Sequence, residues 1–312
     1  MRHDESVPPT PRRPALSAAA ALTVLSLGVA GCGGGGAAQA QPGKGGDAAP
    51  SSAAASASPS PARTSPSPSP SRSKKPASPS PSAPDAPSGP LSGRTVVIDP
   101  GHNPDNHLHT AEISRQVDIG TTHKECDTTG TSTNSGYAEA RFTLDVSHRL
   151  RTLLQAQGAK VLLTYDGDRA FGPCVDERAR IGNKAKADAV VSVHADGSAA
   201  GNRGFHVILP ASVRGGGADT SKIVGPSRDL GTRIAGLFVR ATGSAPSNYI
   251  GGKTGLDTRE DLGGLNLSTV PKVFIECGNM RDPDDAALLT SAGWRQKAAQ
   301  GIADGISSYL KG

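Results

Sequence analysis

From residue 94 onward, short β-branched runs alternate with longer stretches whose apolar residues recur every three or four positions. Thr95 to Asp99, Lys160 to Thr164, Ala189 to His194, Gly204 to Leu209 and Lys272 to Cys277 read as strands. Between them, Tyr137 to Gln157 carries Ala140, Leu144, Val146, Leu150, Leu153 and Leu154 at helical spacing, with Gly158 as a stop signal. Val175 to Ala187, Arg228 to Thr242 and Trp294 to Leu310 read as further helices. This alternation predicts an α/β fold, a mainly parallel twisted sheet with helices on both faces. One core suffices for residues 94–312, since a domain of that size buries roughly 70% or more of its chain surface. Asn103 to Gly136 is polar and apolar-poor, and its length marks a functional or clamped loop.

Residues 1–93 carry neither period. Arg2, Arg12 and Arg13 precede the run "ALSAAAALTVLSLGVAGC", which has the length and charge order of a secretory signal and is too short for a comfortable membrane span. Pro14 and Ala15 fit a twin-arginine signal badly, so Sec-type export is expected. Val29-Ala30-Gly31-Cys32 resembles a bacterial lipobox, in which the cysteine becomes lipid-modified and begins the mature chain. The alternative is ordinary cleavage near Ala30 or Ala37, with Cys32 a bystander. Residues 33–93 are Gly, Ala, Ser and Pro with repeated Ser-Pro steps, and they hold too little apolar surface for a core. They predict a disordered tether that reaches roughly 190 Å if fully extended at ~3.1 Å per residue. The expected organisation is a leader over 1–32, a tether over 33–93 and a single catalytic domain over 94–312, held at the outer face of the membrane through Cys32.

The net charge of +5 comes mostly from the leader and tether, because residues 94–312 hold 25 Lys and Arg against 24 Asp and Glu. With aromatics at 3% there is no stacking platform, and nucleic-acid binding is not expected. Cys126 and Cys174 sit in loop-like surroundings of an exported domain, where a disulfide is the natural state. That bridge would contribute about 4 kcal/mol in the chain-entropy model. Two free thiols, or pairing with Cys277, are the alternatives. Cys277, inside "KVFIECGN", reads as a buried free thiol.

The chemistry gathers at strand ends. "VVIDPGH" and "VVSVHAD" place His102 and His194 at the carboxyl edge of the sheet, where ligands and catalytic groups collect in α/β folds. Catalytic zinc takes three protein ligands, often two histidines and a carboxylate. Glu139, opening the helix "YAEARFTLDVSHRL", is placed to be the third. It could instead be a helix-start residue favoured by the dipole. "VFIECGN" ends on Glu276, a carboxylate placed to act as the base for the metal's water.

In that order, these four motifs resemble the zinc-dependent N-acetylmuramoyl-L-alanine amidases of the Amidase_3 class, and the resemblance covers essentially all of residues 94–312. It implies cleavage of peptidoglycan between the muramic acid lactyl group and L-alanine. It also implies His102, Glu139 and His194 as zinc ligands, Glu276 as the catalytic carboxylate, and structural roles for Arg178 and Asn183. The insertion around Cys126, with Cys174 at its partner position, resembles a subgroup of actinobacterial amidases with a disulfide-held hairpin near the site. No wall-binding repeat is visible, and the lipid anchor and tether could substitute for one.

Asp99 is expected to support a metal-bound histidine or to shape its turn rather than to be a ligand. Arg259 and Asn266, in "TREDLGGLNLST", are candidates for holding the stem peptide, with an ordinary charged loop as the alternative. His107, His109 and His123 read as solvated loop residues, and His148 and His206 as structural. Glu112 and Glu125 compete with Glu139 as a ligand but lack a helix to fix them. A monomer is expected. The rival readings are another zinc hydrolase, either a peptidoglycan peptidase or a deacetylase, and a silent lipid-anchored envelope binding protein.

Overall fold

The computed structural model describes residues 88–312. The leader, Cys32 and all but the end of the expected tether lie outside the described residues. In chain order, β1 (Thr95–Pro100) leads through helix α1 (Thr110–Ile113) into a hairpin of β2 (Gln116–Asp118) and β3 (His123–Glu125). There follow α2 (Glu139–Ala156), β4 (Lys160–Leu163), α3 (Val175–Ala185), β5 (Ala189–Asp196) and β6 (His206–Pro210). A two-residue hairpin, β7 (Arg214–Gly215) and β8 (Ala218–Asp219), precedes α4 (Val224–Thr242). The chain closes with β9 (Leu256–Arg259), α5 (Gly263–Asn266), β10 (Lys272–Asn279), α6 (Pro283–Thr290) and α7 (Ala292–Lys311).

Six strands form the central sheet in the order β4-β1-β5-β10-β6-β9. β4, β1, β5 and β10 are mutually parallel, while β6 pairs antiparallel with β10 and carries β9 parallel to itself. Helices cover both faces, as the alternation of elements predicts. On one face Val96, Ile98, Val191, Val193 and Ile275 join Phe142, Leu150, Ile234 and Ile302 of α2, α4 and α7 in the main core. On the other, Val97 and Val190 meet Ile181 and Ala185 of α3. Burial on both faces is why these strands read as continuous apolar runs.

Strand pleating then decides where the chemistry goes. The registers Asp99↔Ser192, Phe274↔Ser192 and Glu276↔His194 put these side chains on the α3 face, because directly paired residues share a face.

Two boundaries move. Leu91 is buried in the main core, and its N–H donates to Gln157 O at 2.9 Å, so the packed unit reaches back before the expected start at residue 94. α4 begins at Val224 rather than Arg228, because Pro226 lies in the first turn, where no intrahelical donor is needed. The long polar insertion is clamped, as its length suggested: a Cys126–Cys174 disulfide ties it to the start of α3, over a small cluster of Val117, Ile119 and Val175. Cys277 is a buried free thiol.

Candidate active site

Arg178 on α3 builds the turn that delivers the first histidine. Its guanidinium donates to Asp99 Oδ1 at 2.8 Å, to the Pro100 carbonyl, to His102 O at 3.0 Å, to Pro173 O at 2.8 Å and to Asp127 Oδ2 at 3.0 Å. The planar fork of arginine suits a site with this many acceptors. These bonds hold His102 at φ +60°, a left-handed conformation that a residue bearing a Cβ adopts only where its surroundings impose it. Gly101 is required for packing: a Cβ there would lie 2.3 Å from the His194 ring.

The Asp99 carboxylate is buried and satisfied by Arg178, Thr164, Ser192 and Lys272, the last at 3.0 Å. Burial by itself would raise its pKa, but Lys272 and Arg178 outweigh that and hold it well below the usual carboxylate range. Asp99 supports the turn, as one of its two expected roles required. The carboxylate beside the His102 ring is a different one. Asp127 Oδ1 lies 3.5 Å from His102 Nδ1, which also faces Thr128 O at 3.1 Å. Burial would raise the Asp127 pKa, yet Arg178 and His102 lower it to about 2.

With Nδ1 engaged, His102 turns Nε2 toward Glu139. Glu139 Oε2 lies 3.2 Å from His102 Nε2, and Oε1 lies 3.0 Å from His194 Nδ1. The Glu139 carboxylate is itself fixed, since Thr131 N donates to Oε2 and Ala195 N to Oε1. Opposing burial, His102 and His194 hold the Glu139 pKa well below its ordinary value. Burial would lower the His102 pKa, but Glu139 and Asp127 drive it well above its ordinary value. Phe274 stacks on the His194 ring at 5.3 Å between centroids.

These residues fit a divalent metal ion. Among the described residues, one group of three ligand-type side chains converges, with donor atoms all within 4.8 Å of one another: His102, Glu139 and His194. Tetrahedral ligands about 2.1 Å from a zinc ion lie about 3.4 Å apart, comparable to the 3.2 and 3.0 Å from the Glu139 oxygens to the two ring nitrogens. A buried carboxylate flanked by two imidazoles is a donor set that suits a divalent cation.

Glu276 stands one strand over from His194 in direct register. Its Oε2 is buried with no hydrogen-bond partner. Burial raises its pKa well above the ordinary value, and the charges of Glu139 and Asp196 add to the rise.

A cavity of about 510 Å³ opens beside the two histidines, beneath the β2–β3 hairpin, and Lys124 of that hairpin pairs with Asp261 at 3.0 Å on its rim. Arg259 is held by Asp261 through two bonds of 2.8 and 2.7 Å. Asn266 is buried and donates to Glu260 O at 2.8 Å, bracing the same loop. Neither is among the residues lining the cavity, whose wall there is Asp261 to Gly264.

His107, His109 and His148 have partners of their own outside the converging triad. His109 pairs with Glu112 at 3.4 Å, His148 with Asp166 at 2.6 Å, and His107 faces Pro104 O. Glu125 lines the cavity, but it is not one of the three converging ligands. Asn183 pins the turn after α5 through Leu267 O and Thr269 N, a structural role.

Sequence reasoning missed Asp127 and Gly130. A Cβ on Gly130 would lie 2.7 Å from His102 Cδ2 and 2.8 Å from Glu139 Oε2. Both sit in the insertion, where no periodicity fixes direction. The spacing of Asp127 immediately after Cys126 was the one available signal.

A family model for N-acetylmuramoyl-L-alanine amidase matches residues 96–308. The chain is 43% identical over 235 residues to the N-acetylmuramoyl-L-alanine amidase Rv3717 of Mycobacterium tuberculosis, covering 75% of this chain and 93% of that protein. It is 25% identical over 244 residues to the Escherichia coli amidase AmiA, covering 70% of this chain and 76% of AmiA. Among solved structures, the amidase Ami1 of Mycobacterium smegmatis matches with a TM-score of 0.65 and 40% identity, over 70% of this chain and 98% of that one. This chain belongs to the N-acetylmuramoyl-L-alanine amidase family.

Proposed function

We propose that this protein hydrolyses the amide bond between the lactyl group of N-acetylmuramic acid and L-alanine in peptidoglycan, with zinc as its metal. The observation that carries the reading is the Glu139 carboxylate, whose two oxygens each face a different histidine beside an unpartnered Glu276. His102, Glu139 and His194 would hold the ion. In such a donor set zinc polarises a carbonyl and brings the pKa of water toward about 7.

Glu276 accepts the attacking water's proton and returns it to the departing alanine nitrogen. Burial and neighbouring negative charge raise its proton affinity, the property this role needs. Asp127 and the Thr128 carbonyl fix the His102 ring through Nδ1, leaving Nε2 toward Glu139, where it would serve as a ligand. Arg259 and Asn266 act by shaping the Asp261 to Gly264 wall of the cleft.

The sequence supports placing this activity in the cell wall. A leader over 1–32, a lipid anchor on Cys32 and a long tether would hold a monomeric domain at the outer face of the membrane. The test is mass spectrometry of muropeptides incubated with the protein, with zinc and after chelation. Release of a stem peptide beginning at L-alanine, lost with chelator and restored by zinc, is the expected result. Cleavage within the stem, or loss of acetyl, would overturn it.

A further inference from the structure

Glu276 has two register partners. Across the parallel ladder it pairs with His194, and across the antiparallel ladder with His206. Directly opposed residues share a face, so His194, Glu276 and His206 stand abreast on three adjacent strands. His194 is a ligand-type residue of the converging triad. His206, on the other side of Glu276, was expected to be merely structural.

Its environment argues otherwise. His206 is 2% exposed, yet its Nδ1 has no hydrogen-bond partner. The neighbouring buried atom without a partner is Glu276 Oε2. Buried polar atoms are almost always paired, so two unpartnered atoms on residues directly opposed in the ladder point to a shared bridging group. Burial lowers the His206 pKa, leaving a neutral ring with one N–H and one acceptor nitrogen, able to serve either polarity. Tyr249 packs edge-on to the His206 ring with centroids 6.1 Å apart, and its hydroxyl donates to Asp196 Oδ2 at 2.6 Å.

We propose that His206 is a positioning residue for the amidase reaction, its Nδ1 holding the Glu276 carboxyl in place through one bridging water. This rests on the proposed function, in which Glu276 moves the proton.

The test compares His206→Asn, His206→Gln and His206→Leu with wild type on muropeptides, measuring kcat, KM, metal content and thermal unfolding. Asn places its amide near the position of Nδ1, whereas Gln places it near Nε2. A lost hydrogen bond at Glu276 should lower kcat by about tenfold in the Leu and Gln variants, with KM and metal content unchanged and the Asn variant recovering much of the loss. A wild-type kcat in His206→Leu would overturn the proposal, as would a Gln variant faster than the Asn variant. If His206→Leu does not fold, the Asn and Gln pair decides alone. Failure of the amidase reading is a separate outcome, seen as wild type itself releasing no stem peptide.

Discussion

Lys272 Nζ lies 3.0 Å from Asp99 Oδ2, with both side chains 1% exposed. The pair joins the start of β10 to the end of β1, beneath the turn that carries His102. Removing one member leaves an uncompensated charge in the interior, so Lys272→Met should destabilise the protein by about 3–5 kcal/mol. Adding Asp99→Asn should recover part of the loss. Chemical unfolding of both single variants and the double variant measures the coupling, and additive losses would show that the two side chains act independently.

The same carboxylate makes stability depend on acid. The folded pKa of Asp99 is held below its unfolded value of about 3.9, so the native state favours the ionised form. This contribution is complete above about pH 5 and is lost as the pH falls through about 4 and below. Unfolding free energy measured from neutral pH downward should decline less steeply for Asp99→Asn than for wild type in that window. Parallel curves would assign the acid sensitivity to other groups.

Arg178→Lys should be far from conservative. A single ammonium cannot serve Asp99, Asp127 and three carbonyls at once. The His102 turn and its Asp127 support then loosen together, and metal affinity should fall by about 10–100-fold. Titration with zinc against a competing chelator measures this directly, and wild-type affinity would show that the turn holds without the fork.

Gly130 and Gly136 offer a matched comparison, since both have positive φ, at +71° and +87°. A Cβ at 136 meets open space, whereas one at 130 meets His102 and Glu139. Each alanine variant should lose about 1 kcal/mol or more of stability through backbone strain. Only Gly130→Ala should also weaken metal binding, and equal zinc affinities would reduce the role of Gly130 to backbone conformation.

How much of this was legible in the sequence depended on whether a residue's direction was fixed by a period. His102, His194 and Glu276 end apolar strands, and strand alternation with the common carboxyl edge was enough to bring them together. Glu139 opens a helix whose apolar spacing fixed its face. β9 was missed because its four residues lie at the sheet edge and carry little apolar surface. α6 was missed although Asp282, which caps Asp284 N and Asp285 N, and Pro283 at the first helical position form a readable start. Asp127 and Gly130 depend on a loop path set by the disulfide, and His206 gains its meaning only from the antiparallel pairing of β6, which a mainly parallel reading does not place.

The division of labour between the triad and Glu276 gives the sharpest outcome. Glu276 is not one of the three converging ligands, and its Oε2 makes no bond that a glutamine would break. Glu276→Gln should therefore fold and bind metal normally while losing about 10²–10⁴-fold in kcat, the scale of a missing general base. His194→Ala removes a donor that faces Glu139 Oε1 and should lose the metal itself. Measuring bound zinc and turnover in the same preparations separates the cases. Turnover surviving in Glu276→Gln would move the proton transfer to another group, and full zinc occupancy in His194→Ala would remove that histidine from the ligand set.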